Sequence, residues 1–308
     1  LRLVIGIMRY ISLIIALLAP FFMLSAPAAD TQVRVNGRVA SFESVIVYCK
    51  GDTAAAEQIS ALLPVATPYY NRARTRVEKL YNTLNPAWLC VGAAIFCTLL
   101  PSSTALSVLL LIFLAGEFAV RWWLGDYLPL TALTDFASAI ALILGCFAII
   151  KAKYRRLLCP LIAILMVCAA TWGSHPAVRA ANPALISGWL PFHVVLMACA
   201  YSLFLISAVS AAVNRVGKRT FICVVAGEIC LIVGVLIGSL WAAEAWGSYW
   251  SWDPKETAAL VTLLIYLAVI NCWGRLQHRA TLLRVALISA FVAVLFTWLG
   301  VSGGLHSY

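Results

Sequence analysis

A chain of 308 residues that is 63% hydrophobic and only 11% charged is not an ordinary soluble domain, in which about a quarter of the residues carry charge. Its mean hydropathy of +0.96 is that of a membrane protein. The 22 Lys plus Arg against 12 Asp plus Glu leave a formal charge of +10, but many of the cations fall in short gaps between apolar runs. That is the pattern of a cytoplasmic excess of positive charge and not of a nucleic-acid-binding face, so no nucleic acid is expected.

In chain order, residues 3 to 25 form the first apolar run, preceded by Arg2 and interrupted by Arg9. The run ends in Ala26-Pro27-Ala28, an A-x-A pattern that suits signal peptidase, yet it is long enough to remain as an anchor. Both fates stand, and either way residues 1–28 direct the next segment out of the cytoplasm. Residues 29–84 are polar and mixed in charge, a small extracytoplasmic segment too short for a sizeable core of its own. Within it, Val33 to Tyr48 has β-branched residues near alternation and reads as a hairpin, while Gln58 to Leu63 and Tyr70 to Tyr81 read as helical.

Eight apolar runs come next, near 86–101, 104–124, 131–150, 157–172, 189–212, 220–242, 257–274 and 282–300. Irregular backbone is not tolerated against lipid, so each is expected to be a helix, and the fold class is an all-α polytopic transmembrane bundle over 85–308. The first run is short, and Pro101-Ser-Ser-Thr104 makes a tight hairpin to the next. Nine of the ten cysteines (Cys90, Cys97, Cys146, Cys159, Cys168, Cys199, Cys223, Cys230 and Cys272) lie in or beside these runs with no C-x-x-C pair. They read as small buried hydrophobes rather than a disulfide or metal framework; Cys49 alone sits in a polar segment.

The gaps set the orientation. Lys151, Lys153, Arg155 and Arg156 fill one, Arg215, Lys218 and Arg219 another, and Arg275, Arg279 and Arg284 lie in or beside a third. The gaps between these are poor in cations, so the basic set is expected in the cytoplasm. The segment 29–84, the gap 173–188, the stretch 246–257 and the C-terminal tail then share the extracytoplasmic side.

Four histidines divide accordingly. His278 reads as a solvated loop residue among cytoplasmic arginines, and His175 as a solvated residue of the outer gap. His193 lies about one helical turn past Trp189, at the outer mouth of its helix, and His306 lies just beyond the outer end of the last run. The same face carries "WGSYWSWDPKET", residues 246–257. In it Asp253 can cap a helix, Pro254 suits the first turn, and Glu256 is favoured near the N-terminus. Trp241, Trp246, Trp250 and Trp252 have two readings, an interfacial belt such as suffices for Trp122, Trp123, Trp172 and Trp298, or a surface for a flat ligand. Two imidazoles can cap a haem iron from opposite faces while aromatic rings pack the porphyrin. Composition and topology leave both readings open.

The stretch "WGSYWSWDPKET" resembles the tryptophan-rich WWD signature of haem-handling membrane proteins of cytochrome c maturation, and most closely the CcsA/ResC type of the system II pathway. The segment Trp189 to Val194 matches that family's W-x-x-x-H-V context, and Gly304 to Tyr308 its G-L-H-S-Y tail. "YLPLTALTDFASA" (127–139) is similar to its Pro-Leu-Ser-Asn-x-Tyr-Glu segment. The resemblance runs from about residue 77 onward. It implies haem b held as substrate at the extracytoplasmic face of a bacterial inner membrane, with His193 and His306 as axial ligands of the iron. Trp246, Trp250, Trp252 and Asp253 would shape the site. The haem would be offered to an apocytochrome c whose C-x-x-C-H thiols add to the vinyl groups, in a cytochrome c synthase complex with a CcsB/ResB-type membrane partner. "VEKLYNTLNP" (77–86) looks like the junction found where the two are fused.

Three departures stand out. Asn271 lies where family members often carry a histidine inside the helix after the loop, Ala258 replaces a common Trp, and Ala132, Thr134 and Asp135 replace the family's Asn, Tyr and Glu. Two rival functions are weighed against presentation: a haem chaperone of another WWD-type pathway, and a transporter of haem or another solute without ligase activity. A transporter places polar groups near the bilayer midplane, where the candidates are Glu117, Glu228 and Asn271.

Overall fold

The computed structural model describes residues 32–35, 38–41, 77, 80–81, 83–125, 128–130, 132–150, 152–172 and 187–301. Of the hairpin expected over Val33 to Tyr48, strands β1 (Gln32–Val35) and β2 (Arg38–Ser41) are present, antiparallel with Val35 opposite Arg38 and Gln32 opposite Ser41; residues 42–48 lie outside the described residues. Asn36-Gly37, the dipeptide most favoured for so short a connection, lies between them. The helices expected over 58–63 and over most of 70–81 lie outside the described residues, though Val77, Leu80 and Tyr81 are helical.

Eight α-helices follow among the described residues: α1 (Ala87–Leu99), α2 (Thr104–Gly125), α3 (Leu133–Ile150), α4 (Ala152–Trp172), α5 (Leu190–Ala212), α6 (Lys218–Trp246), α7 (Pro254–Leu276) and α8 (Ala280–Leu295). The last runs on into a π-helical turn, Phe296–Gly300. Seven are long and apolar enough to cross a membrane, which makes this a multi-pass helical membrane protein. The exception is α1, whose 13 residues extend about 20 Å against the ~30 Å of a bilayer core. The turn at Pro101 is tight as expected, with the Ser103 amide donating to the Leu100 carbonyl at 3.1 Å.

The helices form two compact units, α1–α4 and α5–α8. In each, every helix packs against two others so that the four close into a ring: α1 on α2, α2 on α3, α3 on α4 and α4 on α1, and likewise α5 to α8. The first unit buries a charged network. Tyr81 donates its hydroxyl to Glu117 Oε1 at 2.9 Å, Arg121 Nη1 lies 3.4 Å from the same oxygen, and Arg121 Nη2 pairs with Asp135 Oδ1. Asp135 Oδ2 accepts the Ala132 amide at 3.0 Å. Val77 and Tyr81 pack on Val120 and Leu124 of α2, so the chain ahead of α1 is held to α2 by apolar and polar contacts together. Glu117, by sequence a candidate intramembrane site for a solute, instead has an internal partner set.

Four helices, α4, α6, α7 and α8, begin earlier than the apolar runs. The α4 helix starts at Ala152, so Arg155 and Arg156 belong to its first two turns. Arg155 is buried and donates to Ser107 Oγ on α2 at 3.0 Å; it is a packed residue and not a solvated loop cation. The α6 helix likewise takes in Lys218 and Arg219 and reaches Trp246. Apolar periodicity ends where charges begin, but an N-terminal turn needs only unobstructed backbone and a side chain that can extend to water or to a partner.

In the second unit α5 and α6 run antiparallel, with glycines of α6 at the contact. Gly227 faces Phe204, Gly234 faces Leu196 and Met197, and Gly238 faces His193. Gly234 and Gly238 form a G-x-x-x-G pair, the spacing that lets helix backbones approach in a membrane. Hydroxyl groups here bond back to their own helices: Ser202 to the Ala198 carbonyl and Ser207 to that of Phe204, each at 2.7 Å. Where α8 passes into its π-turn, Thr297 Oγ1 lies 2.9 Å from Thr262 Oγ1, and both hydroxyls reach the Ala258 carbonyl, joining α8 to α7.

Candidate functional site

His193 lies in the first turn of α5, after Trp189 and Pro191. Its Nδ1 is 2.7 Å from the Gly234 carbonyl of α6. A carbonyl can only accept, so Nδ1 carries the proton, and in the neutral ring the lone pair falls on Nε2. A Cβ built on Gly238 would come within 2.6 Å of Nδ1 and 2.8 Å of Cε1, so the ring occupies the space that a missing side chain leaves. Trp241, 3% exposed, stacks against the imidazole with ring centroids 6.1 Å apart and planes 21° apart. Trp246 then meets Trp241 edge-on at 4.8 Å. An aromatic series thus leads from His193 along α6 to its last residue, and Ser187 Oγ, bonded to Glu244 Oε2, ties the entry of α5 to the same end of α6.

The α6 helix stops at Gly247, whose φ of 79° provides the left-handed residue that closes many helices. The loop then runs to Asp253, and α7 begins as the sequence suggests. Asp253 Oδ2 accepts the Lys255 amide at 3.1 Å, Pro254 occupies the first position, and the Glu256 carboxylate reaches back to the Asp253 amide. This is a reciprocal cap. Within the loop Trp250 is half-buried and meets Trp252 edge-on at 5.8 Å, while Trp252 and Tyr249 stand 70% and 65% exposed.

His193, Trp246, Trp250, Trp252 and Asp253 therefore all lie at the α5-entry, α6-exit end of one unit. His306 and His175 lie outside the described residues. His278, between α7 and α8, is exposed as expected of a loop residue. Asn271 is exposed on α7, and its amide nitrogen donates to the Leu267 carbonyl of its own helix at 2.8 Å. Glu228 is 3% exposed on α6, and neither of its oxygens has a hydrogen-bond partner. Sequence reading missed the glycine notch that seats His193 and the cation, Arg121, of the first unit's network. The G-x-x-x-G spacing at 234–238 signals the notch; Arg121, one residue before Trp122 and Trp123, passes for part of an interfacial belt.

A family model described as "Cytochrome C assembly protein" matches residues 95–303. The chain is 32% identical to "Cytochrome c biogenesis protein CcsA" of Chlamydomonas reinhardtii over 61% of its own length and 63% of that protein's. It is 28% identical to "Protein NrfI" of Wolinella succinogenes over 47% of its length, which is only 19% of the relative. A stretch covering 25% of each chain is 47% identical to the CcsA protein of Porphyra purpurea. This chain thus spans somewhat under two thirds of the first of these relatives and about a fifth of the second.

Proposed function

The chain belongs to the cytochrome c assembly protein family, and on that premise we propose that it binds haem at the extracytoplasmic face of a bacterial inner membrane and presents it for attachment to apocytochrome c. The single observation that carries this reading is the seating of His193, whose Nδ1–H is committed to the Gly234 carbonyl. A carbonyl holding the distal N–H is the usual support of a metal-ligating histidine, fixing its tautomer and the direction of Nε2.

In this reading haem b is the substrate. His193 supplies one axial imidazole and His306 the other, while Trp246, Trp250 and Trp252 pack the porphyrin and Asp253 holds the loop. Two imidazoles on the iron leave the ring edge for the incoming protein. Each cysteine of a C-x-x-C-H segment then adds its S–H across a vinyl C=C, forming a thioether with no net change of oxidation state. A CcsB/ResB-type membrane protein completes the complex.

The test is a visible spectrum of the protein purified from haem-replete cells. The parent is expected to show the Soret and α bands of six-coordinate haem. His193→Ala and His306→Ala are each expected to disturb those bands, with recovery on added imidazole; an unchanged spectrum in the double variant overturns the assignment. Transport draws on one observation, the unpartnered Glu228 carboxyl inside a helix long enough to span. Presentation expects Glu228→Leu to retain haem content and cytochrome c yield, because replacing an unbonded buried polar group by an apolar one of similar size is close to neutral or stabilising. Loss of cytochrome yield with haem content retained favours transport.

A further inference from the structure

Trp252 has a φ of 57°, in the left-handed region that a residue with a Cβ enters at a cost of roughly 1–2 kcal/mol. Where α6 ends, the chain uses glycine for that conformation; a few residues further on it uses tryptophan, and leaves the indole 70% exposed. A bulky exposed residue in strained backbone persists only where its surroundings determine it.

Two side chains of α7 hold it here: Thr257 Oγ1 donates to the Trp252 carbonyl at 3.4 Å, and one carboxylate oxygen binds the chain on either side. Glu256 Oε2 accepts the Ser251 amide at 2.8 Å, the Ser251 hydroxyl at 3.2 Å and the Asp253 amide at 3.2 Å. These donors flank Trp252 on both sides, so the chain entering and leaving it is tied to the same atom. On the C-terminal side Asp253 is extended (φ −53°, ψ 144°), as the residue before a proline must be. Helix capping alone needs only the Asp253 amide; the two bonds to Ser251 reach past the cap into the loop and serve no helix.

We propose that Glu256 is a positioning residue, its carboxylate clamping the backbone around Trp252 so that the indole is turned outward, ready to lie against a planar ligand. The clamp stands on the geometry alone; the identity of the ligand as haem rests on the proposed function of the chain.

The experiment keeps the two apart. The purified full chain is labelled with 5-fluorotryptophan, and the Trp252 resonance is assigned by its loss in Trp252→Phe. Glu256→Ala is expected to shift or broaden that resonance, whereas Glu256→Gln, whose amide oxygen can accept the same three bonds, keeps it in place. An unmoved resonance in Glu256→Ala overturns the clamp whether or not haem is bound. Haem per protein is then measured for the same variants. Glu256→Ala is expected to lose roughly three- to tenfold, the equivalent of one aromatic contact, matching Trp252→Ala, while Glu256→Gln retains the parent value. A moved resonance with undiminished haem overturns the role assigned to the clamp. A parent without haem defeats the haem reading and leaves the fluorine result to decide the clamp.

Discussion

Gly238→Ala is expected to weaken haem binding by about 10- to 100-fold, the usual cost of disturbing the group that orients a metal-ligating histidine, while the protein stays folded. The added methyl would stand 2.6 Å from His193 Nδ1 and 2.8 Å from Cε1, distances that van der Waals contact forbids. The ring has little room to retreat, since Trp241 lies against its face and Nδ1 is bonded to Gly234. It must turn, and turning breaks the 2.7 Å bond that fixes the tautomer. Alanine is better than glycine in a helix by about 1 kcal/mol, which offsets part of the packing strain. The loss is therefore expected in binding more than in stability. Gly234→Ala is the internal control: its Cβ meets Met197 Sδ at 3.1 Å and Leu196 Cβ at 3.3 Å, a milder crowding that leaves the backbone carbonyl in place. Titration of each purified variant with haem, followed at the Soret band, alongside thermal unfolding in the same detergent, separates the two effects. Binding equal to the parent in Gly238→Ala would remove the notch from the site.

The second large effect concerns stability. Arg121 stands between Glu117 Oε1 and Asp135 Oδ1, on carboxylates that are 4% and 2% exposed. Arg121→Met removes the cation and strands both acids in a membrane-spanning unit, which is expected to cost about 3–5 kcal/mol, as breaking other buried pairs does. The triple variant Arg121→Met, Glu117→Gln, Asp135→Asn removes all three charges, and it should recover much of that loss although it carries two further substitutions. Thermal midpoints in detergent and the amount of protein in the membrane report the order. If the triple variant is less stable than Arg121→Met alone, the charges were not what the single substitution exposed.

Much of the fold was legible because hydrocarbon permits so few solutions. Apolar runs bounded by Pro, Gly and charge had to be helices, and the Pro101 turn and the Asp253-Pro254 start of α7 are local devices with local signals. Helix ends were less legible wherever charges continued a helix, as at Arg155 and Arg156 of α4. His193 and the tryptophan-rich stretch, singled out by sequence, do lie at one end of the second unit, while His306 lies outside the described residues; how His193 is seated was not legible. His193 bonds to a carbonyl 41 positions away, and only the antiparallel pairing of α5 with α6 brings the two together. The conformation of Trp252 carried no sequence signal at all, because a left-handed residue is ordinarily announced by Gly or Asn.

The seating of His193 also bears on timing. A ring held by a hydrogen bond at one atom, an indole across one face and a backbone notch behind it is a fixed post, with few rotamers to sample. A carrier has to let go of what it carries, and a fixed post contributes little to letting go. On the proposed reading, release of a flat ligand draws on the other contacts, among them the exposed loop tryptophan. His193 then sets where a ligand binds, and the loop that carries Trp252 sets how readily it leaves.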